Sequence, residues 1–403
     1  MAASTPRGTD TAGRAHALPL RPAHRAAPAA TNNANSIAQP TSARPISSKE
    51  AIRETRISGA FSRIIVIRHA LGTSFDAPRR TRAAQGSQLY RGSNMPEVPN
   101  SILLNRDEAT TAVATHFAPQ IELLTQMTNY ASNLIPRSYS SSKKQILDIM
   151  VCYGLLKQFA TMLDAVDLLV RAGAIQAAFG PARVAFEASL YIEWMLLSDG
   201  EKKARYYFVG NMRQERLWGL RAVSESAESN DFLREMRELG ADILAQQPAL
   251  DDEGTRHVRE VDAILGREEF SDANAAFNNY AANARWQIEP KWYQVLGVKS
   301  VRAMARELHR LPDYMIYYGT GSQVAHASSY KGQFNFARRG ANARPIRDIT
   351  SINTVLTFAA TTALLVFHRV LRFYRSDELP AFARQYVTEW KEAFTGIPHV
   401  QAD

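Results

Sequence analysis

Two pairs of polar side chains, each set in an apolar segment, carry the chemistry this chain offers. Arg183 and Glu187 stand one helical turn apart in the almost wholly apolar run 174–198, and Ser322 and His326 repeat that spacing in the charge-poor stretch 314–330. An apolar helix belongs in a core, and ionisable groups taken there need partners. Arg before Glu is the poorer order for an exposed helical pair, so local helix support is a weak reason for it. A hydroxyl one turn from an imidazole is the pattern of a nucleophile and its base. No carboxylate lies near His326 in sequence to orient it, so Glu187 would have to do so across space. If the four meet, His326 is the general base, Arg183 holds an anion such as phosphate, and Glu187 orients one of them. A structural reading stands beside each: a buried Arg/Glu clamp between helices, and a neutral core histidine donating to a carbonyl or to Glu187.

Tyr191 and Trp194 share the helix face of Arg183 and Glu187; with Arg205, Lys299 and Tyr317 they would form the nearest lining. Other motif matches are weaker. Gly319-Thr-Gly321 is too short for a dinucleotide fingerprint and follows a helix rather than a strand, and Gly297-Val-Lys299-Ser300 lacks the upstream glycine of a phosphate loop. Arg302 and His309 have roughly the separation of the Arg and His on one helix of HEPN-type ribonucleases, with Ala303 where those enzymes usually carry a polar group. His257, His309, His326 and His368 are scattered without paired spacing, so no metal site is expected, and no cofactor is implied. The single cysteine, Cys152, excludes an internal disulfide; its apolar surroundings suggest a buried, inert thiol.

The elements that must position these residues are helices. Asn105 caps a helix through Leu134, with Pro136 after its end; helices follow over 140–173, 174–197, where Pro181 kinks or starts the element, and 201–224. Two charged, peripheral helices are expected over 229–247 and 251–265, a weak helix or loop over 271–284, and a short helix capped by Ser300. Pro312 opens the Tyr-rich stretch, 338–347 is a basic Gly/Asn loop, and 348–375 and 378–394 complete an all-α bundle of roughly eight to ten helices. The uncharged run 349–367 approaches the length of a membrane span, but its Ser, Asn and five Thr residues favour a buried helix of a soluble bundle.

The net charge of +9 is uneven. Up to Asn100 there are 14 basic against 5 acidic residues; beyond it the two balance at 34 each. The sequence thus divides into a basic arm over 1–48, too poor in large apolar residues to fold and so expected to be disordered, a basic linker with a short helix or strand over 49–100, and a neutral helical domain over 101–403. The arm suits a solvating tail, a transport address or a weak phosphate-binding segment. Its composition resembles organelle transit peptides and the export segments of type III secreted effectors, and it has no secretory signal run.

Arg183-Val-Ala-Phe-Glu187-Ala-Ser-Leu-Tyr-Ile-Glu-Trp194, followed by Arg205-Tyr206, resembles one block of a bacterial family, domain of unknown function 5677. Trp292-Tyr293, Lys299-Ser-Val-Arg302, and Tyr314 with Tyr317-Tyr318 leading into Ser322-x-x-x-His326 resemble its second block. The resemblance covers about 120–375. It implies an all-helical domain whose Arg/Glu and Ser/His helices face each other, and it supplies no activity. Two functions are expected: cleavage of RNA phosphodiesters or binding of a phosphate ligand in bacterial defence, in the cytoplasm; or a non-catalytic module that binds a protein partner, an effector exported into a host cell by its uncleaved N-terminal segment.

Overall fold

Helix signals in the sequence turn out to sit where caps and glycines put them. The computed structural model describes residues 103–224, 226–238, 247–283, 289–328, 332–337, 340–398 and 400. The chain divides into two units, Met1–Asp76 and Ala77–Asp403, and the first lies wholly outside the described residues, as do the expected arm and linker. Within the second unit the described residues form thirteen helices and one hairpin.

Asn105 caps α1 (Arg106–His116) by accepting the Glu108 amide at 3.2 Å. α2 (Ala118–Ser140) starts on Pro119 and runs through Pro136, which was expected to follow its end. Pro136 withholds the N–H that the Ser132 carbonyl would accept, while at the end of the helix the Ser140 and Ser141 hydroxyls both donate to Arg137 O and Arg137 pairs with Glu378. α3 (Ile146–Arg171) begins later than expected, at a capping box of Gln145 and Asp148, and includes a π-helical stretch at Ile149–Leu156. Gly173, at φ +66°, closes it.

α4 (Ile175–Met195) continues through Pro181. Asp199, at φ +49°, turns the chain into α5 (Gly200–Ala222). α6 (Ala227–Glu238), α7 (Gln247–Leu265) and α8 (Glu268–Asn283) pack against α5; the last was expected only as a weak helix or loop. The short α9 (Trp292–Val295) precedes α10 (Val301–Glu307), where Ser300 Oγ accepts the Ala303 amide at 3.1 Å. α11 begins at Leu311–Asp313, passes a π-helical turn at Tyr314–Tyr318 and ends at Gly319–Ala325.

The basic loop expected over 338–347 includes a strand, β2 (Gly340–Ala343), which pairs antiparallel with β1 (Phe334–Ala337) just before it. The segments are too short for alternation to show in sequence. α12 (Ile352–Tyr374) and α13, which runs Leu379–Gln385, Tyr386–Trp390 and Lys391–Thr395, complete the set.

The core lies where α2, α3, α4 and α12 meet. Phe367 of α12 packs on Tyr130 of α2, Phe159 of α3 and Trp390 of α13, while Phe358 meets Phe186 of α4. Burying each such ring contributes about 1.5–3 kcal/mol. α12 is long and apolar enough to cross a membrane, yet its apolar window is 72% buried inside the fold, the burial of a core helix. Ile146–Arg171 also reaches that length and hydropathy.

Candidate functional site

α4 carries Arg183 and Glu187 on the face that α11 crosses. The crossing is close because residue 321 is glycine: a Cβ there would lie 2.8 Å from both Arg183 Cβ and Phe179 O. This close approach, rather than phosphate binding, is what the Gly319-Thr-Gly321 sequence provides. It sets the Tyr318 phenol beside Arg183, whose Nη2 donates to Tyr318 Oη at 2.9 Å and whose guanidinium lies 4.6 Å from that ring's centre. Arg183 and Glu187 approach to 3.5 Å, and the Tyr318 hydroxyl is also hydrogen-bonded with Glu187. Guanidinium, phenol and carboxylate thus form a connected chain. Arg183 Nε is buried and meets no hydrogen-bond partner among the described residues.

Phenols surround the carboxylate. Tyr191, Tyr293 and Tyr318 all lie within electrostatic range of Glu187. Burial first, then the Glu187 charge, raises the Tyr191 and Tyr293 phenols above their ordinary value. Tyr318 is pushed up to about 12, mainly by burial, so it stays a neutral donor at physiological pH. Trp292 stands edge-on to Tyr191 at 5.3 Å, and Tyr314 stacks on Tyr318 at 4.5 Å. The π-helical turn brings those last two rings together.

The structure separates the other candidates. Ser322 is half-buried beside Gly321, but His326 is exposed at the end of α11. No hydrogen bond or ion pair joins either side chain to another described residue, so the expected enclosed cluster of four is corrected to a half-open Arg183–Tyr318–Glu187 group, with His326 exposed at the C-cap of the helix that supplies Tyr318. α11 leaves the packed crossing soon after Gly321: Gln323 and Ala325 are already exposed, and His326, five residues and about 7.5 Å of rise beyond Gly321, follows them at the C-cap. Tyr191 lines the group, as expected. Trp194 lies deeper, donating from Nε1 to Glu307 at 2.8 Å. Tyr317 points into the core, stacked on Phe358 at 4.4 Å. Lys299 is exposed, and half-buried Arg205 lies in the electrostatic surroundings of Glu201 and Tyr206. His309, at φ +57° beyond the end of α10, does not continue the helix face of Arg302. Cys152 is fully buried and its thiol is pushed up to about 12 by burial, as an inert core thiol would be.

Sequence reasoning missed a second charged group. Arg310 pairs through Nη1 with Glu193 of α4 and through Nε with Asp313, at 2.5 Å, and all three side chains are 10% exposed or less. Arg310 Nη2 is buried without a partner among the described residues. The guanidinium lies 5.0 Å from the centre of the Phe186 ring, whose own centre is 6.3 Å from Tyr318. Phe186 therefore stands between the two groups. Glu193, an acid inside the same apolar run that singled out Glu187, was the available signal.

No curated protein and no solved structure matches the chain. The model of one family does, over residues 149–336, a narrower span than the expected 120–375. The match holds both charged groups and His326 but leaves out α2 and α12, which complete the core. Residues 149–336 match the model of a family of unknown function, DUF5677.

Proposed function

We propose that the face of α4 crossed by α11 binds RNA and that His326 acts there on a phosphodiester. One observation carries this reading: the Arg183–Tyr318–Glu187 group is open at one edge, with side chains 21% and 29% exposed at Arg183 and Glu187, and the helix that supplies Tyr318 ends in an exposed histidine. A polymer needs an open face, and an exposed imidazole can be reached by such a substrate and can take a proton from it. The rise of about 7.5 Å between the α4 crossing and His326 separates a recognition group from a reacting one by roughly one nucleotide. In the reaction, His326 takes the proton of a ribose 2′-hydroxyl as that oxygen bonds to phosphorus. The bond to the 5′-oxygen breaks, and the departing oxygen is protonated by solvent. Ser322, one turn back, donates to a phosphoryl oxygen. The 14 basic residues up to Asn100 add attraction for phosphate.

The test is incubation of the purified chain with end-labelled single-stranded RNA. The expected result is cleavage by the wild type, lost on His326→Ala, with toxicity on expression relieved by the same change. If wild type and His326→Ala are indistinguishable in both assays, the reading is wrong.

The charge asymmetry favours a second reading, an exported effector that binds a protein partner. Deleting residues 1–48 separates the two: loss of export with RNA cleavage never seen supports the second.

A further inference from the structure

The Arg183–Glu187 pair presents a donor and an acceptor side by side, and that arrangement selects what can lie against it. Arg183 Nη2 and Glu187 Oε1 are 3.5 Å apart. The guanidinium has five N–H donors, of which Nη2 serves Tyr318, and the carboxylate has about four acceptor positions, of which Tyr318 takes one. Capacity therefore remains on both, on side chains that solvent reaches. The Arg183 guanidinium plane, 4.6 Å from the centre of the Tyr318 ring, suits a flat ligand, since unstacked bases are held against aromatic and guanidinium planes and read along their Watson–Crick edge.

Resting on the reading of this face as an RNA site, we propose that Arg183 and Glu187 bind the Watson–Crick edge of guanine: the guanidinium donates to O6, and the carboxylate accepts from N1–H and the exocyclic amine. Guanine alone among the four bases sets two adjacent N–H donors beside a carbonyl, so both carboxylate oxygens are used. Adenine and cytosine offer the carboxylate one N–H group, and uracil sets a second carbonyl against it, leaving charged acceptors unpaired at a real cost. A phosphodiester attached to a base held there would extend along α11 towards His326.

The shared chemistry is the guanine edge, which a free nucleotide and a guanosine within RNA both carry. Calorimetric titration of the full chain with GMP, IMP and AMP reads the first source. The expected order is GMP tightest, IMP intermediate for want of the amine, and AMP weakest, with GMP on the order of tenfold or more tighter than AMP. Glu187→Gln is isosteric and should abolish the GMP preference. Tyr318→Phe, which removes the phenol bonded to both Arg183 and Glu187 and so loosens the pair, should weaken GMP several-fold. Equal binding of GMP and AMP, absence of GMP binding at millimolar concentration, or a preference that persists in Glu187→Gln each overturns the inference. Short RNAs with one guanosine read the second source: tight binding only when guanosine lies within the strand supports an RNA ligand, whereas tight GMP binding with no gain in RNA points to a free nucleotide. Cleavage without guanine preference sinks this inference and spares the proposed function; guanine preference without cleavage does the reverse.

Discussion

Two charged groups lie on either side of the Phe186 ring, and they obey opposite rules. Arg310, Glu193 and Asp313 are enclosed, net negative and held by two ion pairs. Arg183, Glu187 and Tyr318 are half-open, net neutral and joined through a phenol. In the closed group each charge depends on the other two, because water cannot replace a lost partner. In the open group solvent can, so its members remain available to a ligand. One helix, α4, thus supplies an acid to an enclosed ion-paired group and, six residues earlier, an acid to a half-open one.

The contrast breaks most visibly at Arg310. Arg310→Met strands two carboxylates in the core and should cost about 3–5 kcal/mol in chemical denaturation, whereas the combined change Arg310→Met, Glu193→Leu and Asp313→Leu should recover most of that loss. If the triple variant is as unstable as the single one, the three do not act as a unit. Next in size, Gly321→Ala pushes a methyl group to 2.8 Å from Arg183 Cβ and should cost about 1–3 kcal/mol by thermal melt. In the open group, Tyr318→Phe should cost only about 0.5–1.5 kcal/mol, read by the same melt. Glu187→Gln should stay within about 1 kcal/mol of the parent, as expected of a pair that solvent screens.

The smallest effect concerns pH. Burial, with Arg369 and Arg372 nearby, lowers the His368 imidazole below its ordinary value. The folded state therefore disfavours its protonation. Its contribution is present in full above the unfolded value near 6.5 and is lost as pH falls below that towards the folded value. Denaturant midpoints measured between pH 7.5 and 5.5 should decline, and His368→Gln should flatten that decline.

Much of this was legible in sequence because helices announce their buried faces. The caps at Asn105 and Ser300 and the apolar run 174–198 marked elements that the structure contains. Arg183 and Glu187 stood out by charge against an apolar run, and they do form one group. What sequence did not carry was geometry set by single residues. Nothing in Tyr-Met-Ile-Tyr-Tyr distinguishes a π-helical turn from an α-helical one, so Tyr318 rather than Tyr317 as the partner of Arg183 was not foreseeable. The end of α11 at Ala325 decided that His326 would face solvent. Arg310 and Asp313 looked like ordinary surface charges flanking Pro312, because their burial comes from α4, more than a hundred residues upstream.

The widened turn at Tyr314–Tyr318 holds one residue more than a regular turn would spend on the same rise. Shortening the chain by a single position there would leave a perfectly good helix, yet everything downstream would swing by roughly a hundred degrees. Glycine would no longer meet α4, and a bulky neighbour would arrive in its place. The segment is therefore intolerant of length changes at a spot where its composition alone would look permissive, and relatives that keep this binding face should preserve spacing there more strictly than identity.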